Sequence, residues 1–264
     1  MTVTHKLSGE YAQFVTCQLE PDHTIFSDAT KFRWKTANVS IETRLSTPGG
    51  AADQARSKGG GLLAGALATA MEVGKRALSG QSYAFQWFRS SGGSGLVTFS
   101  GEQPGQVRVL ELDGSAGWYA ESRAFVCAEG SVTFDIDFTG LALGVRSREG
   151  FILEHFQGSG TLVVGGGGTL VELNPAAYGG KIHVHTGALV AFADSLRFST
   201  ERVAPGGTQL AMAAMFGGGG INLISLEGDG AVLLQSTIHR QYEEEEKNDD
   251  RTRAAGLAGA VLGR

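Results

Sequence analysis

The amino-acid sequence predicts a mainly β protein built from one structural unit repeated three times. The first observation is a pattern that returns along the chain: a glycine, an apolar run, a Gly-x-Gly pair and a second apolar run. The opening glycines are Gly80, Gly150 and Gly220, so each copy begins 70 residues after the one before. A fixed internal period of this length is typical of repeat architectures.

Two further observations support a β fold. The chain has 40 glycines but only five prolines, a composition that suits many tight turns rather than a collagen-like or disordered protein. The segment 132–138, VTFDIDF, alternates apolar and polar residues without a break. Such alternation is typical of a strand with one buried face.

The repeated pattern itself predicts a β-hairpin in each copy. The second copy, GFILEHFQGSGTLVV at 150–164, has two apolar runs of strand length around a short glycine turn. We expect hairpins starting near residues 80, 150 and 220, with Gly160 and Gly230 at positive φ in their turns. Because an isolated hairpin is marginally stable, the hairpins are expected to pack together around a pseudo-threefold axis.

The remaining strands of each unit are expected elsewhere in the chain. Residues 14–19, 24–34 and 39–45 are predicted strands at the N-terminus, separated by turns. The same succession of a leucine, a polar or proline turn and an apolar strand recurs at 112–134 and at 173–198. The first unit therefore takes its additional strands from the N-terminal part of the chain.

One helix is predicted, at 62–78, after a glycine-rich loop at 47–61. Its apolar residues fall at three- and four-residue steps, and Lys75 and Arg76 lie near its C-terminal end, where they complement the helix dipole. We expect it to cover one side of the sandwich. Residues 59–64 fit G-x-G-x-x-A before this helix, but without a preceding strand the match does not indicate a dinucleotide site.

The predicted organisation is a single triplicated domain at 1–240 followed by a tail at 241–264. The tail carries Glu243 to Glu246 and Asp249-Asp250, an acidic run typical of a flexible, solvated segment. The alternative interpretation is a docking segment that orders on a partner.

Composition excludes several classes of function. The net charge of −5 offers no basic surface for nucleic acid. The N-terminus lacks the apolar core of a signal peptide, and no apolar run approaches the roughly 20 residues that span a bilayer. These features predict a cytoplasmic protein without a membrane span. Cys17 and Cys127 stand in apolar contexts and are interpreted as core residues rather than a disulfide.

Three histidines are the candidate metal ligands. His183 and His185 are two residues apart on a predicted strand, so both could reach one metal, as in β-barrel enzymes of the cupin type. However, no glutamate follows at a short interval and no third histidine occupies a matching later strand. We therefore expect both on an outer strand face and predict no metal site and no cofactor, and the sequence assigns no role to His155.

No catalytic group is predicted either. The chain lacks G-x-S-x-G, neither cysteine has a neighbouring histidine, and Asp135 and Asp137 belong to the outward face of a strand. The tryptophans Trp34, Trp87 and Trp118 lack flanking basic clusters. Core or interface packing is thus the better interpretation than base stacking.

Several segments resemble a known family. They are Gly105-Gln106-Val107 with Leu110-Glu111-Leu112, GSGTLVV at 158–164, GALVAF at 187–192 and FGGGGINLISLEGDGAVLLQS at 216–236. With these, the sequence resembles the mitochondrial biogenesis family also called altered inheritance of mitochondria twenty-four, whose many bacterial members have no assigned activity. The resemblance covers roughly 11–240, and KIHVH at 181–185 and the loop at 47–61 depart from the family pattern.

The resemblance implies a fold similar to the tryptophan RNA-binding attenuation protein (TRAP). That fold is a β-sandwich of double-stranded β-helix type, here three times in one chain. The ligands of that protein, tryptophan and RNA, do not transfer, because no binding residue can be matched. Eukaryotic members are associated with mitochondrial inner-membrane organisation, which implies a structural or assembly role.

The leading hypothesis for function is a non-enzymatic structural or interaction protein that presents a β surface to a protein partner. Because an open sandwich has unpaired strand edges, we also expect a homo-oligomer. The alternative is a small-ligand or metal-binding β-barrel protein of cupin type, and a third hypothesis is an unrecognised hydrolase.

Overall fold

The structure is a computed structural model that describes residues 3–21, 23–44, 85–137, 152–203 and 221–237. The helix predicted at 62–78 and the tail at 241–264 lie outside the described residues, so both stay predictions. The mainly β class predicted from the sequence is confirmed. Within the described part of the chain, the helical residues form short 3₁₀ turns, at Ala29–Lys31, Ser122–Ala124, Pro175–Tyr178 and Thr186–Ala188.

The described residues form eighteen strands. They are β1 (Thr4–Ser8), β2 (Phe14–Leu19), β3 (Thr24–Asp28), β4 (Phe32–Lys35), β5 (Val39–Arg44), β6 (Phe85–Ser90), β7 (Gly95–Ser100), β8 (Val107–Asp113), β9 (Trp118–Glu121), β10 (Phe125–Glu129), β11 (Val132–Asp137), β12 (Leu153–Gly165), β13 (Leu170–Leu173), β14 (Lys181–His185), β15 (Leu189–Ala193), β16 (Arg197–Val203), β17 (Ile221–Glu227) and β18 (Val232–Gln235).

The same four antiparallel pairings occur in three successive segments. In the first segment, β2–β7, strand β7 lies between β2 and β4, and β6 lies between β3 and β5. In the second segment, β8–β12, the two halves of β12 take the places of β6 and β7. In the third segment, β13–β18, β18 lies between β13 and β15, and β17 between β14 and β16. Each segment is therefore a small sandwich of two three-stranded sheets.

A β-bulge marks an equivalent point in every segment. The register of the strand after a 3₁₀ turn shifts between Phe32 and Trp34 in the first segment. The matching shifts fall between Phe125 and Cys127 and between Leu189 and Ala191. Bulges bend a strand and increase its twist, so the recurrence shows that the three segments share local geometry as well as pairing order.

The glycine-led patterns are not hairpins, and that prediction is wrong. Strands β6 and β7 pair with different partners, as do β17 and β18. In the second copy, Leu153–Gly165 is one continuous strand. Gly158 and Gly160 have φ of 106° and 136°, and they redirect β12 without reversing it. The half before them pairs with β9 and β11, and the half after them with β8 and β10.

The positive φ predicted for Gly160 is confirmed, whereas that for Gly230 is wrong. In the third copy the residue with positive φ is Gly228, at 126°. The first glycine of the Gly-x-Gly pair has positive φ in every copy, at Gly93, Gly158 and Gly228, whereas the second has it in the second copy, at Gly160. Sequence similarity between the copies therefore does not extend to the same backbone conformation at each glycine.

Strand pairing also joins the segments. Strand β3 of the first segment pairs with β10 of the second, and β9 of the second pairs with β15 of the third. The corresponding strands for a third junction, β14 and β4, are not paired with each other and lie at sheet edges. The predicted pseudo-threefold arrangement therefore stays a prediction, because backbone pairing among the described strands makes two of the three junctions.

The sheets shared between segments are buried on both faces. One face of the β3–β10 sheet contributes Phe26, Phe85 and Phe125 to the core of the second segment, where they meet Phe134. The Phe26 ring centroid lies 5.5 Å from that of Phe125 and 6.1 Å from that of Phe134. The opposite face buries Ile25 and Cys127 in the core of the first segment. Burial of aromatic side chains on one face and of other apolar side chains on the opposite face holds these two segments together.

Candidate functional site

His155, to which the sequence assigns no role, bridges the second and third segments. It lies on β12, and its Nε2 is 3.1 Å from Oδ2 of Asp194, which follows β15. Its ring stacks on Tyr119, with centroids 4.3 Å apart and planes 11° from parallel. Both side chains are half-buried. The arrangement is a structural contact at the β9–β15 junction.

The two histidines of the H-x-H motif have separate partners. The side chain of His183 is exposed on β14, and its Nδ1 lies 3.5 Å from Oε2 of Glu201. His185 uses Nδ1 to accept the Gly187 N–H at 3.0 Å, and this caps the turn Thr186–Ala188. Within the part of the chain that the structure describes, no three His, Cys, Asp or Glu side chains gather as a metal site.

Both cysteines are buried and free, as the sequence predicts. They lie in the core of the first segment, on β2 and β10. Burial, reinforced by the neighbouring Cys17 thiol, raises the pKa of Cys127 well above its ordinary value. A thiol that stays protonated is a poor nucleophile, and the environment is that of a structural cysteine.

The tryptophans divide into two kinds. Trp87 and Trp118 pack in the core of the second segment, as expected. Trp34 is 47% exposed, so of the two predicted roles, core and interface packing, it does not have the first in the described chain, and the second stays a prediction. Strand β4, which carries it, forms the edge of its sheet, and no described strand covers that edge. The sequence around Trp34 offers no signal for this, because edge position is set by tertiary pairing.

A small charged pocket of about 30 Å³ lies where the three segments meet. The connection from β7 to β8 contributes Glu102 and Gln103, and the second segment contributes Glu121 and Arg123. The glycines 165–167 come from the end of β12 and the connection after it, and the third segment contributes Leu189, Val190 and Gln235. The volume suffices for one or two water molecules rather than an organic ligand. Sequence reasoning missed this site, whose charged residues are far apart in the chain and match no motif.

The charged side chains around the pocket are paired, and one hydrogen bond joins the first segment to the second. Lys31, only 3% exposed, donates from Nζ to Oε2 of Glu102 and to the carbonyl oxygen of Arg123, each at 3.1 Å. Glu121 accepts from the Arg123 backbone N–H and from its Nε, both at 3.0 Å. Burial raises the pKa of Glu121, with the Arg123 charge acting in the opposite direction. This network fastens the 3₁₀ turns of the first two segments to each other.

The outer face of the first segment is the most unusual surface of the described chain. Trp34, Thr98 and Thr16 stand in register across β4, β7 and β2, and Phe14 lies two residues before Thr16 on the same side. We call these four residues the aromatic face. Phe14 is 43% exposed and Trp34 is 47% exposed.

In the other two segments the positions equivalent to Phe14 and Trp34 are buried. By strand register, Phe14 and Trp34 correspond to Val107 and Cys127 in the second segment, which pack into the core of the first. They correspond to Leu170 and Ala191 in the third segment, which pack into the core of the second. The aromatic face is therefore the one member of three equivalent faces that no segment covers within the described chain.

Comparison with known proteins places the chain in a family. A model of the family described as mitochondrial biogenesis AIM24 matches residues 5–237. The chain belongs to the AIM24 family. This confirms the resemblance inferred from the sequence, and the match ends where the described residues end.

One solved structure shows the same fold. It is the crystal structure of protein SPYM3_0169 from Streptococcus pyogenes, which is 20% identical. The alignment covers 93% of this AIM24 chain and 99% of that protein, with a TM-score of 0.64. At this identity the likeness concerns the fold alone. Among proteins with curated descriptions, none matches this chain.

Among the described residues, no helix is both long enough and apolar enough to cross a membrane.

Proposed function

We propose that this AIM24 protein is a non-enzymatic structural or interaction protein that binds a protein partner through the aromatic face. The observation that carries the proposal is the exposure of Phe14 and Trp34 at positions whose equivalents are buried between segments. Exposed aromatic residues recur at protein interfaces, where a few buried aromatic anchors supply much of the binding energy.

The neighbouring strand edge supports the same surface. Lys35 follows Trp34 on β4, and the backbone on this side of the strand has no partner among the described strands. Edge strands pair readily with an added strand, and the alternating side chains beside them determine which strand fits. An exposed tryptophan beside such an edge combines backbone affinity with a side-chain anchor.

A photo-crosslinking experiment tests the proposal. A benzophenone amino acid replaces Trp34 in the full-length chain, expressed in the cells from which the gene comes, and adducts are identified by mass spectrometry after irradiation. We expect a discrete protein adduct from position 34. The matched control is the same substitution at Tyr178, which is 60% exposed in the third segment and lies outside the aromatic face.

Equal labelling from both positions would show that position 34 reports random collisions, and the proposal would then be wrong. The same holds if neither position yields a protein adduct. The cupin-type alternative has no supporting geometry in the described residues, where His183 and His185 have separate side-chain and backbone partners.

A further inference from the structure

We propose that the unpaired edges β4 and β14 form a third junction between two copies of this chain, with β14 of one copy added to β4 of the next. The inference rests on the proposed function and names its partner and site. Within the chain, β3 pairs with β10 and β9 pairs with β15, whereas the equivalent strands β14 and β4 do not pair with each other.

The two junctions within the chain use one register. At the first, Cys127 pairs with Ser27 and Ala128 with Phe26. At the second, Ala191 pairs with Ala120 and Phe192 with Tyr119. Each junction joins the bulged strand that follows a 3₁₀ turn to the strand that precedes a 3₁₀ turn in the segment before it.

Hydrogen bonds at the base of each segment repeat in the same way. The Gln13 N–H donates to the Gly105 carbonyl, and the Gln13 side chain accepts from the Val107 N–H. One segment later, the Gln106 N–H donates to the Gly168 carbonyl, and its side chain accepts from the Leu170 N–H. The junctions are thus a repeated interface rather than two unrelated contacts.

Strands β14 and β4 are the equivalents that would make the next such junction. Continuing the register places Trp34 opposite Val184, Lys35 opposite His183 and Thr36 opposite Ile182. Strand β4 is the edge of a four-stranded sheet and β14 the edge of a three-stranded sheet. Among the described strands, none pairs with the outer edge of β4 or with the outer edge of β14.

Charge and exposure fit this register. Lys35 would lie beside His183, which holds the carboxylate of Glu201 at 3.5 Å and so places an acidic group near the lysine. Trp34 would gain an apolar neighbour in Val184, which is already buried from its own segment. The outer face of β14 is otherwise polar, so the junction is small and we expect it to be weak.

A second copy is the occupant because the chain does not pair its own β14 with β4. Head-to-tail contact between unlike surfaces leaves one free β4 and one free β14 on every assembly that has not closed into a ring. Such a contact can therefore continue from copy to copy, which distinguishes it from a dimer in which one surface meets itself.

The test uses two single-cysteine additions, Lys35→Cys in one preparation and His183→Cys in another. Both positions are on strand edges, and folding of each variant is checked by thermal unfolding. The two preparations are mixed at high protein concentration and treated with a short bis-maleimide. We expect a covalent species of two chains that peptide mapping shows to link position 35 to position 183.

The control mixes Lys35→Cys with Tyr178→Cys, an exposed position of the third segment outside β14. The buried native cysteines Cys17 and Cys127 are present in every preparation, so any cross-linking through them contributes equally to the test and to the control. Equal dimer yield in the control overturns the proposal. So does a double variant, Lys35→Cys with His183→Cys in one chain, that cross-links only within itself at the mass of one chain.

The two proposals fail separately. If position 34 captures a different protein while positions 35 and 183 do not cross-link between copies, the proposed function stands and the self-assembly inference is wrong. If position 34 captures a second copy of the chain, linked to β14, both stand.

Discussion

At the scale of single residues, the glycines of β12 have the clearest structural role. Gly160 has φ of 136°, and a Cβ there would lie 2.6 Å from Oε2 of Glu129 and 2.8 Å from Oγ of Ser131. Backbone conformation and space therefore both require glycine at the point where β12 changes partners. At Gly93 only the first of these two constraints applies, because φ is positive but no atom lies within 4 Å of the Cβ position.

This contrast gives the first prediction. Replacing Gly160 by Val should lower the free energy of unfolding by about 1–3 kcal/mol from backbone strain alone, with a further loss from the clash. Gly93→Val has the backbone strain without the clash and should cost less. Denaturant unfolding of both variants measures the difference, and an unchanged midpoint for Gly160→Val would contradict the geometry.

The second residue-scale prediction concerns Glu121. Because burial raises its pKa above the ordinary 4.5, the folded state binds a proton more tightly than the unfolded state. The resulting contribution to stability is complete below 4.5 and is lost as the pH rises through the folded pKa. Glu121→Gln keeps an oxygen acceptor for the Arg123 N–H but cannot titrate.

We therefore expect the unfolding free energy of the wild-type protein, relative to Glu121→Gln, to fall as the pH rises above 4.5. Unfolding curves collected at several pH values on both proteins measure this difference. A difference that grows in the opposite direction would mean that the Arg123 charge outweighs burial in the folded protein.

At the scale of elements, the sandwich depends on strands shared between segments. Phe26 is fully buried on β3 of the first segment, yet its ring stacks with Phe125 and Phe134 of the second. Because β3 is buried on both faces, its separation from the sheet would expose the cores of both the first and the second segment. The junctions are consequently as much part of the core as the interior of any one segment.

Phe26→Ala should therefore destabilise the protein by about 3–5 kcal/mol, since it removes a large buried ring from a packed aromatic cluster. The matched control is Phe14→Ala, which removes the same ring from the exposed aromatic face and should cost less than about 0.5 kcal/mol. Comparable losses of unfolding free energy in the two variants would show that Phe14 is covered in solution.

At the scale of the whole molecule, the described fold and the family match both end at Thr237. The last described residues are held by the chain itself, because the Ser236 N–H donates to the Thr169 carbonyl and the Thr237 N–H to the Gly167 carbonyl. Every described strand pairing is complete before the acidic run begins.

Truncation after Gln241 should accordingly leave the thermal midpoint and the solution mass unchanged. Differential scanning fluorimetry and light scattering on the full-length and shortened chains check the two quantities. A fall in the midpoint would show that the tail packs on the fold, and a lower mass would make it an assembly element.

The sequence by itself determined the mainly β class, the family and several strands. The alternating residues of β11 and the apolar run of β2 are local patterns whose period follows from strand geometry, so a single sequence can show them. The two buried cysteines were equally accessible to prediction, because an apolar context along the chain reflects burial.

Only the tertiary structure decided where each strand pairs. A Gly-x-Gly between two apolar runs fits a hairpin and a redirected strand equally well, since both need positive φ, and partner choice distinguishes them. The edge position of Trp34 and the pocket network of Lys31, Glu102, Glu121 and Arg123 likewise depend on contacts between distant segments. Long-range pairing leaves no periodic trace in the sequence, and for that physical reason the sites that it creates could be found only in the folded chain.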